Sequence, residues 1–121
     1  MAIRLKRAYD KPAKNDGYRV LIDRLWPRGV SKEEAKLDEW LREIGPSTEL
    51  RKWFNHDIHR WEEFKKRYHR ELAGKQEQVD KLAAIEQNGR LTLVFGAADI
   101  KHNNGVALKE YLQKNPDAGS G

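Results

Sequence analysis

Leu91-Thr92-Leu93-Val94-Phe95 decides the fold: a short run, apolar at all but one position, β-branched and aromatic, with Gly89 before it and Gly96 after it. Such a run is a buried strand, because its length and flanking glycines separate it from a segment of buried helix. Toward the N-terminus, Tyr18-Arg19-Val20-Leu21-Ile22-Asp23-Arg24-Leu25 carries a second apolar centre at Val20-Leu21-Ile22. Two buried strands separated by a long helical stretch have the order of a parallel pair joined by a crossover. The expected class is α/β, with a small, mostly parallel sheet of about three strands, about five helices, and a helical excursion between the second and last strands.

The remaining elements follow from period and punctuation. Ile3 to Ala8 alternates apolar and basic residues and reads as a first strand; Asp10 to Gly17 is a cluster of turn formers too short for a helical crossover. That link leaves an antiparallel pairing or an irregular loop open. Ser31 with Glu34 three residues on is a capping box, and Leu37, Trp40, Leu41 and Ile44 then recur at helical spacing, predicting one helix from Ser31 to a stop at Gly45-Pro46. Ser47 caps a second helix burying Leu50, Trp53 and Phe54. Asp57 caps a third, with a Trp61, Phe64, Tyr68, Leu72 stripe, and a fourth runs from about Gln76 to Asn88. Asn104 is the expected cap of a last helix burying Val106, Leu108, Tyr111 and Leu112.

A chain of 121 residues fits one domain, expected over residues 1–115, with 116–121 as a flexible tail. Cysteine is absent, which excludes disulfides, thiol nucleophiles, iron–sulfur ligation and thiolate zinc sites. Charged residues make up 36% of the chain, 24 basic against 19 acidic, and no apolar run has the length of a membrane span. Met1 to Lys6 has neither an apolar signal stretch nor the bias of a transit peptide, so the expected location is the cytoplasm. No phosphate-binding loop, dinucleotide fingerprint, nucleophile elbow or metalloprotease motif is written here, and neither a metal nor a cofactor is expected.

In parallel sheets, ligands bind where strands exit toward helix N-termini. The first such exit, Asp23 to Gly29, sets Arg24 and Arg28 beside a helix start, where a phosphate or carboxylate is the natural guest; Trp26, between the two arginines, is a candidate pocket wall. The second, Gly96 to Gly105, crowds Asp99, His102, Asn103 and Asn104 behind an apolar strand. His102 and Asp99 are candidates for proton transfer or orientation, and Asn103 and Asn104 for hydrogen-bond donation. A plainer reading makes the same residues helix caps, an Asx-turn and surface charge. His56 and His59 lack a third ligand at any recognised zinc spacing. Arg60, Lys65, Lys66, Arg67 and Arg70 form a basic stretch interleaved with Glu62, Glu63 and Glu71; with an isoelectric point near 9.5, it makes nucleic acid the alternative partner to an anionic small molecule.

From about Ile3 to Leu112 the chain resembles the YeaO-like branch of the prokaryotic family catalogued as domain of unknown function 488. The resemblance rests on Arg7-Ala8-Tyr9-Asp10, Asp23-Arg24-Leu25-Trp26-Pro27-Arg28-Gly29-Val30-Ser31, Trp40 through Ser47, Leu50 through His56, Phe64 through Tyr68, and Asp99 with His102-Asn103-Asn104. Members of that branch are mostly uncharacterised, so the resemblance implies positions more than chemistry. It adds Tyr9 and His56 to the candidate set, His56 joining Arg24, Arg28, Asp99 and His102 if it folds over the sheet edge. Phe95-Gly96-Ala97-Ala98-Asp99 departs from the Tyr-Ala-Ala-Lys-Asp associated with the family, with Ala98 at the lysine position.

Overall fold

The computed structural model describes residues 3–114. The 116–121 segment, expected to be a tail, lies outside the described residues. Four strands, β1 (Ile3–Arg7), β2 (Tyr18–Leu21), β3 (Glu39–Trp40) and β4 (Leu91–Phe95), form one sheet in the order β1-β4-β2-β3, every pair parallel. Five α-helices accompany it: α1 (Lys32–Ala35), α2 (Thr48–Phe54), α3 (Trp61–Ala73), α4 (Gln76–Gln87) and α5 (Asn104–Lys114). The sheet is small, parallel and dominated by helix, as the strand order requires.

β4 is buried at all five positions because it lies between β1 and β2, with Leu5 opposite Leu93 on one side and Val20 opposite Leu93 on the other. Its alternate side chains serve two faces. Leu91, Leu93 and Phe95 join Val20 and Ile22 against Phe54, Trp61, Phe64, Tyr68, Leu72, Val79, Leu82 and Leu108 in the main core. On the opposite face Val94 packs with Ala8 and Leu21 under Trp26, Leu37 and Trp40.

The β1–β2 link is irregular, with a single 3-10 turn at Lys14–Asp16, yet it returns the chain to a parallel strand two positions across the sheet. Gly17 makes the return possible. Its φ of +70° suits glycine, and a Cβ there would stand 2.3 Å from the Arg90 carbonyl oxygen.

One expectation is overturned. The capping box at Ser31 forms, with Ser31 Oγ accepting from the Glu34 N–H and the Glu34 carboxylate accepting from the Ser31 N–H, but the helix stops at Ala35 with Lys36 in the left-handed region. Glu39–Trp40 then adds a fourth strand beside β2, and Arg42–Ile44 is a 3-10 turn. Arg19 explains the stop: its guanidinium donates to the Ala35 and Lys36 carbonyls, and its backbone N–H donates to Asp38. The last carbonyls of α1 are satisfied there without another helical turn. The second strand is also shorter than expected, leaving the ladder after the Ile22 N–H bonds to Val94.

Candidate functional site

The exits of β2 and β4 open on the same sheet edge and, with α2, enclose a cleft of about 760 Å³. Arg24, Arg28, His56, His102, Asn103 and Asn104 line it. These six expected site residues therefore come together, and His56 does reach over the sheet edge. Three others do not line the cleft. Trp26 packs edge-on against Trp40 at 5.4 Å and donates Nε1–H to the Val30 carbonyl, so it belongs to the opposite sheet face and is not a pocket wall. Tyr9 is exposed, donates its hydroxyl to the Arg28 carbonyl and lies under the Arg7 guanidinium. Asp99 stands behind the lining, where it acts on His102.

The first exit is fixed from both sides. Arg24 Nε donates to the Gly45 and Pro46 carbonyls at 3.1 and 2.8 Å, latching the loop to the turn before α2. Trp40 Nε1 donates to the Asp23 carbonyl at 2.7 Å. The Asp23 carboxylate accepts from the Gly96 N–H at 2.8 Å and from the Asn104 amide at 2.9 Å, tying the β2 and β4 exits together. Burial pushes the Asp23 carboxyl up despite those two donors and the nearby Arg51 charge. Arg28 is exposed and has no ion pair among the described residues.

In the second exit Asp99 accepts from the backbone N–H groups of Lys101 and His102 and meets His102 Nδ1 at 2.9 Å. The Lys101 backbone donor, then His102, hold the Asp99 carboxyl below its ordinary value. The His102 ring stands edge-on to Trp61 at 5.3 Å. Asn103, not Asn104, caps α5: its Oδ1 accepts from the Val106 N–H while its amide donates to the Asp99 carbonyl. That corrects the expected cap and frees Asn104 to bridge Ile22 and Asp23.

The third wall comes from α2. Ser47 Oγ caps it, accepting from the Leu50 N–H, and the Glu71 carboxylate accepts from both the N–H and the hydroxyl of Ser47, which anchors α2 to α3. Asn55 and His56 follow with φ of +46° and +55°, two consecutive left-handed residues that turn His56 toward the cleft. Phe54 and Phe64, stacked at 4.4 Å, form its apolar floor. Arg51 and Lys52 add two cations that sequence reasoning missed, since both read as ordinary solvated positions of an amphipathic helix. The available signal was that both fall in the Leu50–His56 block on which the family resemblance rests. Arg51 Nε is buried and has no hydrogen-bond partner among the described residues.

Compared with known families, residues 2–120 match the one described as the inactive DUF488-N3 subclade. The chain belongs to this family. It is 42% identical to the uncharacterized protein YeaO of Escherichia coli (strain K12) over 113 residues, spanning 93% of this chain and 98% of YeaO. The uncharacterized proteins Mb3100c of Mycobacterium bovis and Rv3073c of Mycobacterium tuberculosis are each 41% identical over 70 residues, 58% of this chain and 59% of theirs. No solved structure matches. The family membership agrees with the sequence blocks quoted above. The Asp23–Ser31 and Leu50–His56 segments, on which that resemblance rests, carry two walls of the cleft.

Proposed function

We propose that the cleft binds an anionic small molecule, a nucleotide or phosphorylated metabolite. The observation that carries this reading is the excess of positive charge that the cleft gathers from two segments far apart in the chain. Four cations, Arg24, Arg28, Arg51 and Lys52, line the cleft against the single carboxylate of Asp23, whose oxygens are already engaged. Guanidinium groups suit phosphate through their planar fork, and the Phe54–Phe64 floor suits the flat body of a base. No helix among the described residues is long and apolar enough to cross a membrane. We place the protein in the cytoplasm, where such molecules are abundant.

The family's description as inactive favours binding over turnover. Acid–base chemistry is the second reading, and one observation favours it: Asp99 holds His102 Nδ1, an arrangement that orients an imidazole and fixes its tautomer.

The test is thermal denaturation with adenosine monophosphate and with inorganic phosphate. At ligand about a hundredfold above Kd, wild type gains about 2.7 kcal/mol, a rise of several degrees in Tm. Arg28→Ala and Arg51→Ala should lose most of that rise. Equal stabilisation of wild type and both variants, or none of wild type, defeats the assignment.

A further inference from the structure

We propose that the cleft and the cationic face of α2 and α3 are one surface that binds single-stranded nucleic acid, one nucleotide entering the cleft while neighbouring phosphates lie along Lys52, Arg60 and Arg67. This rests on the anion-binding reading of the cleft and extends it from a free molecule to a strand.

The two regions are physically continuous. Lys52 lines the cleft, and the next residue, Trp53, carries the Arg67 guanidinium 4.1 Å and the Arg60 guanidinium 5.2 Å from its ring centroid. Arg60 also donates to the Trp53 carbonyl. A guanidinium stacked on an indole is pre-positioned and keeps donor edges for a phosphate. Both arginines have acidic neighbours, Glu63 at 3.0 Å from Arg67 and Asp57 at 3.7 Å from Arg60, but these side chains are 41 to 47% exposed. Pairs so open to water are worth little and yield readily to a phosphate. Lys66 and Arg70 extend the row along α3, with no ion pair among the described residues.

Exposed apolar side chains point the same way. Among the described residues the large ones are Tyr9, Leu25, Ile58 and Ile100, at 48 to 64%. Tyr9, Leu25 and Ile100 stand on the loops leaving β1, β2 and β4, and Ile58 on the α2–α3 turn beside His56. Leu25 lines the cleft itself, and exposed apolar side chains gathered on the loops at one sheet edge mark a contact surface. A free metabolite held inside the cleft leaves them in water, whereas the bases on either side of an inserted nucleotide offer flat faces to cover them. Inside, the Phe54–Phe64 floor, the Asn55 amide and the Asn104 Oδ1 match a base with a polar edge. Acidic peptides match the cations but not this apolar and amide interior.

Fluorescence anisotropy of a labelled oligothymidylate of about twelve nucleotides, within the usual range of single-strand sites, compares the strand with thymidine monophosphate. The strand should bind at least about tenfold tighter, and with three or four phosphates neutralised its log–log salt slope should be about −2 to −3. The double variant Arg60→Gln/Arg67→Gln should flatten that slope by about 1.4 and leave mononucleotide binding unchanged. Lys66→Gln/Arg70→Gln, which removes cations without ion-pair partners, repeats the measurement should the first pair perturb folding, which circular dichroism monitors. Mononucleotide binding with no gain for the strand overturns this proposal and leaves the cleft reading intact. Failure of both ligands defeats both readings. Equal competition by polyglutamate reduces the surface to charge alone and also overturns it.

Discussion

Asp16 shows how one side chain organises the polar half of the second sheet face. Fully buried, it meets Arg4 at 3.1 Å, Lys6 at 3.0 Å and Arg19 at 2.7 Å, and its backbone carbonyl accepts from the Thr92 hydroxyl. Burial alone pushes this carboxyl up, but the Ala13 N–H and the three cations outweigh it and bring it down to about 2. A carboxyl at about 2 against an ordinary 3.8 contributes about 2 kcal/mol at neutral pH. The folded-state value is the lower one, so this contribution is complete above about pH 4 and fades as pH falls toward 2. Urea titrations across that window should show the loss. Asp16→Asn should cost about 3 kcal/mol at pH 7 and flatten the acid limb, since it leaves three cations crowded without their counter-charge. An unchanged limb in the variant would assign the acid sensitivity elsewhere.

At the scale of elements, two devices are open to direct measurement. Gly17→Ala places a Cβ against the Arg90 carbonyl in a backbone conformation that L-residues resist, and should destabilise by well over about 1 kcal/mol, read as a drop in Tm. Glu71→Gln removes the charge from the carboxylate that holds Ser47 and should cost about 1 to 2 kcal/mol, with the proteolytic protection of the α2 segment falling before that of β4. Equal protection of both segments would mean that α2 is anchored by its apolar face alone. The same scale explains what the sequence did and did not disclose. The β4 run, the Ser47 cap and the α3 stripe were legible because each is a local signal backed by packing in the same place, whereas Asp57 caps the short 3-10 turn Ile58–Arg60 that leads into α3 and not α3 itself. The 31–44 segment misled because its apolar spacing serves two faces: Leu37 and Trp40 go under the sheet, Leu41 and Ile44 to the main core. Its helix is ended by Arg19, a residue distant in the chain with no local signature. The cleft was half legible, since loop residues with unusual polar density pointed to it, whereas Arg51 and Lys52 acquire their position only from the docking of α2 on α3.

For the whole molecule, the cleft is assembled from three separate segments, so its integrity depends on the tie between Asp23, Gly96 and Asn104. Asn104→Leu should leave α5 capped by Asn103 and the fold intact, yet loosen the two exits. The expected outcome is a Tm lowered by several degrees without loss of the fold, faster hydrogen exchange at Gly96 and weaker anion binding, checked by thermal denaturation, exchange mass spectrometry and titration.

The order β1-β4-β2-β3 carries a further implication, for how the protein is born. β1 pairs only with β4, and β4 occupies residues 91–95. Until synthesis reaches Leu91, β1 has no partner to receive it, and β2 has only the two-residue β3. At about 5 to 20 residues per second that interval lasts several seconds, during which apolar strand edges stay open to chaperones or to other nascent chains. A ribosome stalled short of Leu91 would therefore display an unclosed sheet; β4 closes it, and α5 then seals the core with Ala107, Leu108 and Leu112.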